Sequence, residues 1–141
     1  MSKGNTFEND LLLLIFNATA ITDLARDAAS PITNLYVSLH TADPGETGSQ
    51  TTSECTYTGY ARIAVARTSG GWTITANSVS PAAAITFGIC TSGTETATYA
   101  AVGTALTGTG KLLYSGAMSP TIAISTGVTP QLTTTSALTE D

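Results

Sequence analysis

The sequence has 141 residues, a formal net charge of −5 and a pI near 4.5. Its five Lys and Arg residues are too few for the basic surface that nucleic acid binding requires, so we expect no role on packaged DNA. The length predicts a single domain over residues 1–141 that can bury a core without disulfides or metal.

Residues 1–30 are predicted to form a helical N-terminal segment. The apolar positions at spacing i, i+4, i+7 and i+8 are Phe7, Leu11, Leu14 and Ile15. Leu12, Leu13 and Phe16 widen this apolar stripe nearly all round, so we expect the helix to be buried or shared with a neighbour. A second helix is predicted at residues 18–29, ending before Pro31. The apolar run is too short to span a bilayer and lacks signal-peptide features, which predicts a product made in the host cytoplasm.

From Asn34 onward the helical period is lost, and short Thr- or Val-rich segments alternate with Gly, Pro and Ser. This pattern predicts a mainly β fold, a jelly-roll-like antiparallel β-sandwich over residues 34–135 with a flexible acidic tail at 136–141. Eight strands are predicted at about 34–41, 58–68, 71–77, 83–90, 97–103, 111–118, 121–125 and 130–135. Gly70 and Gly71 are expected to close a hairpin between the second and third strands.

A long polar connection joins the first two strands. Residues 35–40 alternate between apolar and polar side chains, as in a strand with one buried face. Asp43, Pro44 and Gly45 then predict a turn, and residues 46–58 are mostly Thr, Ser, Gly and Gln. A connection of this length is usually functional or disordered.

Catalytic chemistry is not expected, and neither is a metal or other cofactor. His40 is the sole histidine, and although Asp43 follows closely, nothing completes an acid–base pair or a metal site. No GxSxG elbow occurs, and a serine hydrolase would need the same histidine. We expect His40 to lie on the outward face of its strand as an ordinary surface or interface residue.

Two further sets of residues allow alternative interpretations. The carboxylates of Asp43, Glu46 and Glu54 could gather on calcium, but they lack the spacing of a calcium loop, so a solvated acidic loop is favoured. Three aromatic residues could form a sugar-binding platform, although a core position is favoured for the tryptophan. They are Tyr57, Tyr60 and Trp72. The two cysteines are expected to be reduced thiols, Cys55 in the polar loop and Cys90 buried.

Charge is sparse and uneven along the sequence. Charged residues make up 11%, against roughly 25% in typical soluble proteins, and between Arg67 and Glu140 they are only Glu95 and Lys111. Such a surface repels other chains weakly, which favours a protein covered by partners. Arg62 and Arg67 are predicted on opposite faces of one strand, either pairing across an interface or facing solvent. The candidate interface residues are Leu11, Leu14, Phe16, Asp43, Glu46, Arg62 and Arg67.

Four sequence stretches carry a resemblance to a known family. They are FENDLLLLIF at 7–16, LYVSLHTADPGETG at 35–48, YTGYARIAVAR at 57–67 and GGW at 70–72. In these stretches the chain resembles small structural proteins of tailed phages that are often labelled tail-fibre-like, and within them the cement (decoration) proteins on the capsid of tropism-switching Bordetella phage.

The resemblance implies a non-enzymatic virion protein on the capsid exterior. Its expected partners are the major capsid protein and, as a homodimer, a second copy of itself, with no nucleic acid and no membrane. A cement protein would stabilise the contacts between capsid subunits from outside. The alternative is a receptor- or glycan-binding β module of the phage tail.

Overall fold

The computed structural model describes residues 5–20 and 32–139, and within them it confirms the predicted fold class. The described chain is mainly β, with antiparallel sheets and one short helix near the N-terminus. The elements are α1 (Asn5–Asn17), β1 (Asn34–His40), β2 (Ile63–Ala66), β3 (Trp72–Thr75), β4 (Ser78–Pro81), β5 (Ile85–Thr86), β6 (Glu95–Gly103), β7 (Leu112–Ile124), β8 (Gln131–Leu132) and β9 (Leu138–Thr139).

The chain divides into two compact units. The first comprises the described parts of Met1–Asn34, Val65–Ala84 and Leu132–Asp141. It holds α1 and a three-stranded sheet of order β3-β4-β9. Its buried side chains include Leu12, Phe16, Trp72 and Val79. The rings of Phe16 and Trp72 meet edge to face with centroids 4.6 Å apart, a geometry that aromatic pairs favour.

The second unit comprises Leu35–Ala64 and Ile85–Gln131. It contains most of the four-stranded sheet of order β2-β1-β6-β7, in which the β1–β6 and β6–β7 pairs are antiparallel. A two-stranded sheet pairs β5 with β8. The apolar core residues of this unit include Leu35, Val37, Leu39, Ile85, Phe87, Ala97, Ala101, Val102 and Ile124.

Strand β7 is one continuous strand where the sequence predicted two. Pairing with β6 runs up to Ala117, opposite Tyr99, and resumes at Ile122, opposite Ala97. The four residues 118–121 therefore lie opposite a single residue of β6, as a bulge that contains Pro120. Proline lacks the N–H that a ladder needs, which is why the sequence pattern indicated an end at a point that the strand passes through.

Several other strand predictions are corrected. Residues 58–62 precede β2 instead of belonging to it, and β4 and β9 were not predicted. The hairpin predicted at Gly70 and Gly71 is wrong, because β2 pairs with β1 whereas β3 pairs with β4. The β3–β4 hairpin turns at Ala76 and Asn77 instead, where Ala76 has φ +54° without a glycine to signal it.

The predictions for the two ends of the chain have different outcomes. Residues 138 and 139, expected in a flexible tail, form β9 and pair with Ser78 and Val79 of β4. The second predicted helix is not present at residues 18–20, and its remainder falls in 21–29, outside the described residues. The division into one domain over 1–141 stays a prediction.

Candidate functional site

A buried ion pair between Arg62 and Glu54 occupies the second unit. The guanidinium Nε donates to Glu54 Oε1 at 2.7 Å and Nη2 donates to Oε2 at 2.8 Å, the two-pronged geometry that makes such pairs strong. The side chains of Arg62 and Glu54 are 2% and 13% exposed. Hydrogen bonding to Glu54 raises the pKa of Arg62, so the guanidinium stays charged despite its burial.

The same arginine holds the connection between β6 and β7, residues 104–111, which we call the β6–β7 loop. Its Nη1 donates to the carbonyl oxygen of Ala105 at 2.9 Å and its Nη2 to that of Gly108 at 2.8 Å. These bonds occupy the guanidinium edges that Glu54 leaves open. Arg62 therefore joins the long connection between β1 and β2 to the β6–β7 loop.

Gln50, which is fully buried, makes a second link to this loop. Its Oε1 accepts from the Ala105 N–H at 2.9 Å, and its backbone N–H donates to the carbonyl of Thr109 at 2.9 Å. A Cβ at Gly103 or Gly110 would overlap the Gln50 side chain, so a larger residue at either position would displace Gln50. Among the described residues Gln50 Nε2 has no hydrogen-bond partner.

His40 lies inside this unit, so the prediction that it faces outward is wrong. Its ring is fully buried because the long connection packs over that face of β1. The carbonyl of Thr52, 2.8 Å from Nδ1, can only accept, so Nδ1 carries the proton and Nε2 of the neutral ring accepts from the Ser38 hydroxyl at 2.9 Å. Burial lowers the pKa of His40 below its ordinary 6.5.

Two of the three aromatic residues proposed as a platform form an inner cluster with Phe87. The Tyr57 and Tyr60 rings meet edge to face at 5.4 Å, and Tyr60 stacks on Phe87 at 6.2 Å. Burial raises the pKa of Tyr57 to about 12 and that of Tyr60 still further. The Tyr57 hydroxyl donates to the Gly88 carbonyl, and that of Tyr60 donates to Glu54, so both polar ends are engaged within the chain.

Trp72 belongs to the first unit and is 3% exposed, which confirms its favoured position in a core. Tyr57 is 5% exposed and Tyr60 is partly buried. A sugar platform needs exposed ring faces, so these aromatic residues do not provide one.

A small polar depression of about 190 Å³ lies beside Glu95. It is lined by Thr56, Tyr57, Thr58, Ser92, Gly93, Thr94 and Glu95. One carboxylate oxygen of Glu95 accepts from the N–H groups of both Thr56 and Tyr57 at 2.9 Å. This carboxylate therefore anchors the end of the long connection to the start of β6.

The two cysteines are free and buried. Cys55 lies in the polar connection between β1 and β2, yet its side chain is 1% exposed, like that of Cys90, which was predicted to be buried. Burial, followed by the nearby Glu95 carboxylate, raises the pKa of Cys55 to about 12. A thiol with this pKa stays protonated and unreactive at neutral pH.

In the first unit, Arg67 caps the C-terminal end of α1. Its Nε and Nη2 donate to the carbonyls of Ile15 and Leu14 at 2.5 and 2.6 Å, and Nη1 donates to that of Ile32 at 2.9 Å. The last helical carbonyls lack partners inside a helix and carry partial negative charge, which a guanidinium satisfies. The last turn of α1 has no basic residue of its own, so Arg67 supplies this cap from a distant part of the sequence.

The predicted interface residues occupy different environments. Phe16 is fully buried, whereas Leu11 and Leu14 are only half-buried, so the innermost helical residues are Leu12 and Phe16. Asp43 and Glu46 are exposed, with Asp43 accepting from the Gly45 N–H at 2.9 Å in a local turn. Glu54 is paired with arginine instead of gathering with them on calcium.

Arg62 and Arg67 flank β2 instead of lying on opposite faces of one strand, and each binds acceptors of its own unit. Sequence reasoning assigned no role to Gln50 or to Leu106 of the β6–β7 loop. The sequence signal for this packing was the pair of glycines, Gly103 and Gly110, that lie against the Gln50 side chain.

Strand β7 forms one edge of the four-stranded sheet. From Leu112 to Ala117 it pairs with β6 and carries no charged residue; residues 112–116 are half-buried and Ala117 is exposed.

Within the described residues, no group of three or more His, Cys, Asp or Glu side chains could hold a metal ion. In the same part of the chain no helix is long and apolar enough to cross a membrane.

Comparison with known proteins identifies the family. A search of curated proteins returned no match to the chain. The family model described as podophage GP4 fiber I protein gp80 matches residues 2–139, which is nearly the whole chain. The earlier resemblance to phage structural proteins is thereby confirmed at the level of the family. The chain belongs to the podophage GP4 fiber I protein gp80 family and is a phage structural protein.

Proposed function

We propose that this protein is a non-enzymatic cement protein that binds the outside of the phage capsid and stabilises contacts between major capsid protein subunits. The observation that supports this most is that the buried titratable side chains of the second unit bind partners within the chain. Arg62, Glu54 and His40 all bind partners within the second unit, so these three side chains contribute to folding. Apart from charged residues such as Asp43, Glu46 and Lys111, the described surface after β1 offers mainly backbone, Thr hydroxyls and apolar side chains.

Such a surface suits a permanent assembly contact. Neutral β surface can be covered by a partner without the cost of burying unpaired charge, which reaches several kcal/mol per ion. A clamp that binds two capsid subunits also gains from multivalency, because one contact can open without release of the protein.

A second location is favoured by the name of the family, which describes a fiber protein. In that case the chain would be a subunit of a fibre of the phage tail. The burial of Tyr57 and Trp72 speaks for an assembly role over sugar binding in either location, because their faces are not available to a glycan.

Copy number separates the two locations. Quantitative mass spectrometry of purified particles, with the major capsid protein as internal standard, should find hundreds of copies for a cement protein. A few to a few dozen copies would place the chain in the tail and contradict the cement proposal. A low-resolution map of the particle would then locate the chain directly.

Salt dependence tests the neutral contact. Raising salt to about 1 M shortens the Debye length from about 10 Å to 3 Å and removes exposed charge attraction. We expect the protein to stay on intact particles under this treatment. Release at high salt would show that the contact depends instead on charged residues such as Asp43 and Glu46.

We further propose that the chain forms a homodimer. Charge is sparse in the half of the sequence after Arg67, and two identical neutral surfaces can pair about a two-fold axis. Light scattering after size exclusion should give twice the mass of one chain. A monomer at the protein concentration used for particle assembly would exclude the homodimer.

A further inference from the structure

The β6–β7 loop combines an exposed apolar side chain with an unusually well-held backbone. Leu106 is 50% exposed at this loop, and residues 104–110, TALTGTG, include no charge. We propose that the loop is a docking knob whose Leu106 side chain inserts into an uncharged apolar pocket on a neighbouring virion protein. This inference rests on the proposed assembly role, but it does not depend on whether that neighbour is in the capsid or in the tail.

The loop is ordered before it meets any partner. Arg62 binds the carbonyls of Ala105 and Gly108, and Gln50 binds the N–H of Ala105 and the carbonyl of Thr109. The ends are closed by Thr104, whose N–H donates to the Lys111 carbonyl at 3.1 Å and whose hydroxyl accepts from the Lys111 N–H at 3.0 Å. A loop fixed in its bound shape loses little entropy on binding, which raises affinity.

The buried groups that hold the loop are costly for the fold. A buried ion pair can often be replaced by apolar residues without loss of stability, and the unpartnered Nε2 of Gln50 adds a desolvation penalty. A loop of eight residues could also be closed by a simple turn. The free-energy cost of burying these groups is explained if they set the position of Leu106.

The chemistry of the loop defines its partner. Arg62, which binds the loop backbone, is neutralised by Glu54 and its side chain is 2% exposed, so residues 104–110 present Leu, Thr and glycine backbone, with the exposed Lys111 at the C-terminal end of the loop. A charged group in the partner's pocket would lose its water on contact with this surface and would gain no partner in return. The fitting site is therefore an apolar depression rimmed by neutral hydrogen-bonding groups.

The test compares two leucine-sized side chains of matched exposure in the same unit. Leu106→Ser removes the knob, and Ile89→Ser, at a position 51% exposed, is the control. Each variant competes with wild-type protein during particle assembly, and mass spectrometry measures the ratio in purified particles. Losing the burial of one Leu should lower incorporation of Leu106→Ser about ten- to a hundredfold, with Ile89→Ser near wild type.

Both variants should melt like the wild type, because both positions face solvent. Equal incorporation of Leu106→Ser and Ile89→Ser would overturn the proposal wherever in the virion the chain lies. So would conversion of a dimeric wild type into a monomer by Leu106→Ser, since the pocket would then belong to a second copy. Copy number per particle, measured on the wild type, tests the cement location separately.

The positioning role of Arg62 has its own measurement. Arg62→Lys keeps the charge but cannot form the fork that reaches Glu54, Ala105 and Gly108 together. Hydrogen exchange of the amides at 104–110 should become faster. Incorporation into particles should fall even if Arg62→Lys melts at the same temperature as the wild type. Unchanged incorporation in a folded variant with faster loop exchange would show that loop order does not matter for docking.

Discussion

Replacing Arg62 by methionine is the sharpest perturbation of this structure. Methionine fills much of the same volume but removes the cation, so the Glu54 carboxylate, 13% exposed, is left without its partner. Removing one member of a buried pair typically costs about 3 to 5 kcal/mol. Since Glu54 keeps slight contact with solvent and the hydrogen bond from Tyr60, we expect about 3 kcal/mol.

Urea denaturation near neutral pH measures the effect as a change in the free energy of unfolding. Lys111→Met is the matched control, because it removes a cation from an exposed position and should change stability by less than about 0.5 kcal/mol. The double variant Arg62→Met with Glu54→Gln tests the coupling. It should be more stable than the sum of the single losses predicts by about 1 to 3 kcal/mol, because no charge remains buried.

Two results would refute this reasoning. The first is a loss below about 1 kcal/mol for Arg62→Met, which is the range of a surface ion pair. The second is strict additivity in the double variant, which would mean that Arg62 and Glu54 stabilise the fold independently.

Three other predictions follow from burial. The pKa of His40 lies below 6.5, so its contribution to stability is fully present above that pH and is lost as the pH falls through the folded pKa. His40→Gln should therefore flatten the decline in stability that thermal melts detect as the pH falls below about 6.5. Cys55 and Cys90 should resist a thiol reagent in the native protein and should both titrate after denaturation without reductant, a disulfide mass being the contrary result. Phe16→Ala should cost about 3 to 5 kcal/mol in denaturation and clearly more than Leu11→Ala, whereas equal losses would mean that the helix is not docked through Phe16.

The fold class could be read from the sequence because strand periodicity is local. Residues 35–40 alternate as a strand should, and β1 lies within one residue of its predicted end. The tryptophan was expected in a core for its size, and it packs there against Phe16. These inferences need only the pattern of neighbouring side chains.

The burial of His40 was not predictable in this way. Alternation assigned it to the outward face of β1, and that face is covered by a connection from more than ten residues further along the chain. The polar composition of this connection indicated solvent, but its backbone groups bind β1 and the β6–β7 loop. Long-range contacts of this kind leave no periodic signal in the sequence.

The burial of helix α1 and the role of Arg67 also depend on contacts that are distant in the sequence. Its stripe was assigned from spacing alone, and the structure buries Leu12 and Phe16 more than Leu11 and Leu14. The position of the helix relative to its sheet decides which side of a broad apolar surface faces inward. Arg67 was assigned to an edge or an interface, although its guanidinium satisfies the carbonyls at the end of α1.

Charged residues are scarce in this chain, and several of those present bind groups within their own unit. Arg62 and Arg67, two of the five basic residues, have their guanidinium groups engaged within their own units, one on a carboxylate and one on helical carbonyls. Glu54 and Glu95 are likewise committed to binding within the chain. These charged groups therefore hold loops and a helix in place, and the half of the sequence after Arg67 is almost neutral. A protein with this distribution can associate through broad β surface without unpaired ions to bury, and its specificity must then come from shape, which is what a loop fixed by Arg62 and Gln50 provides.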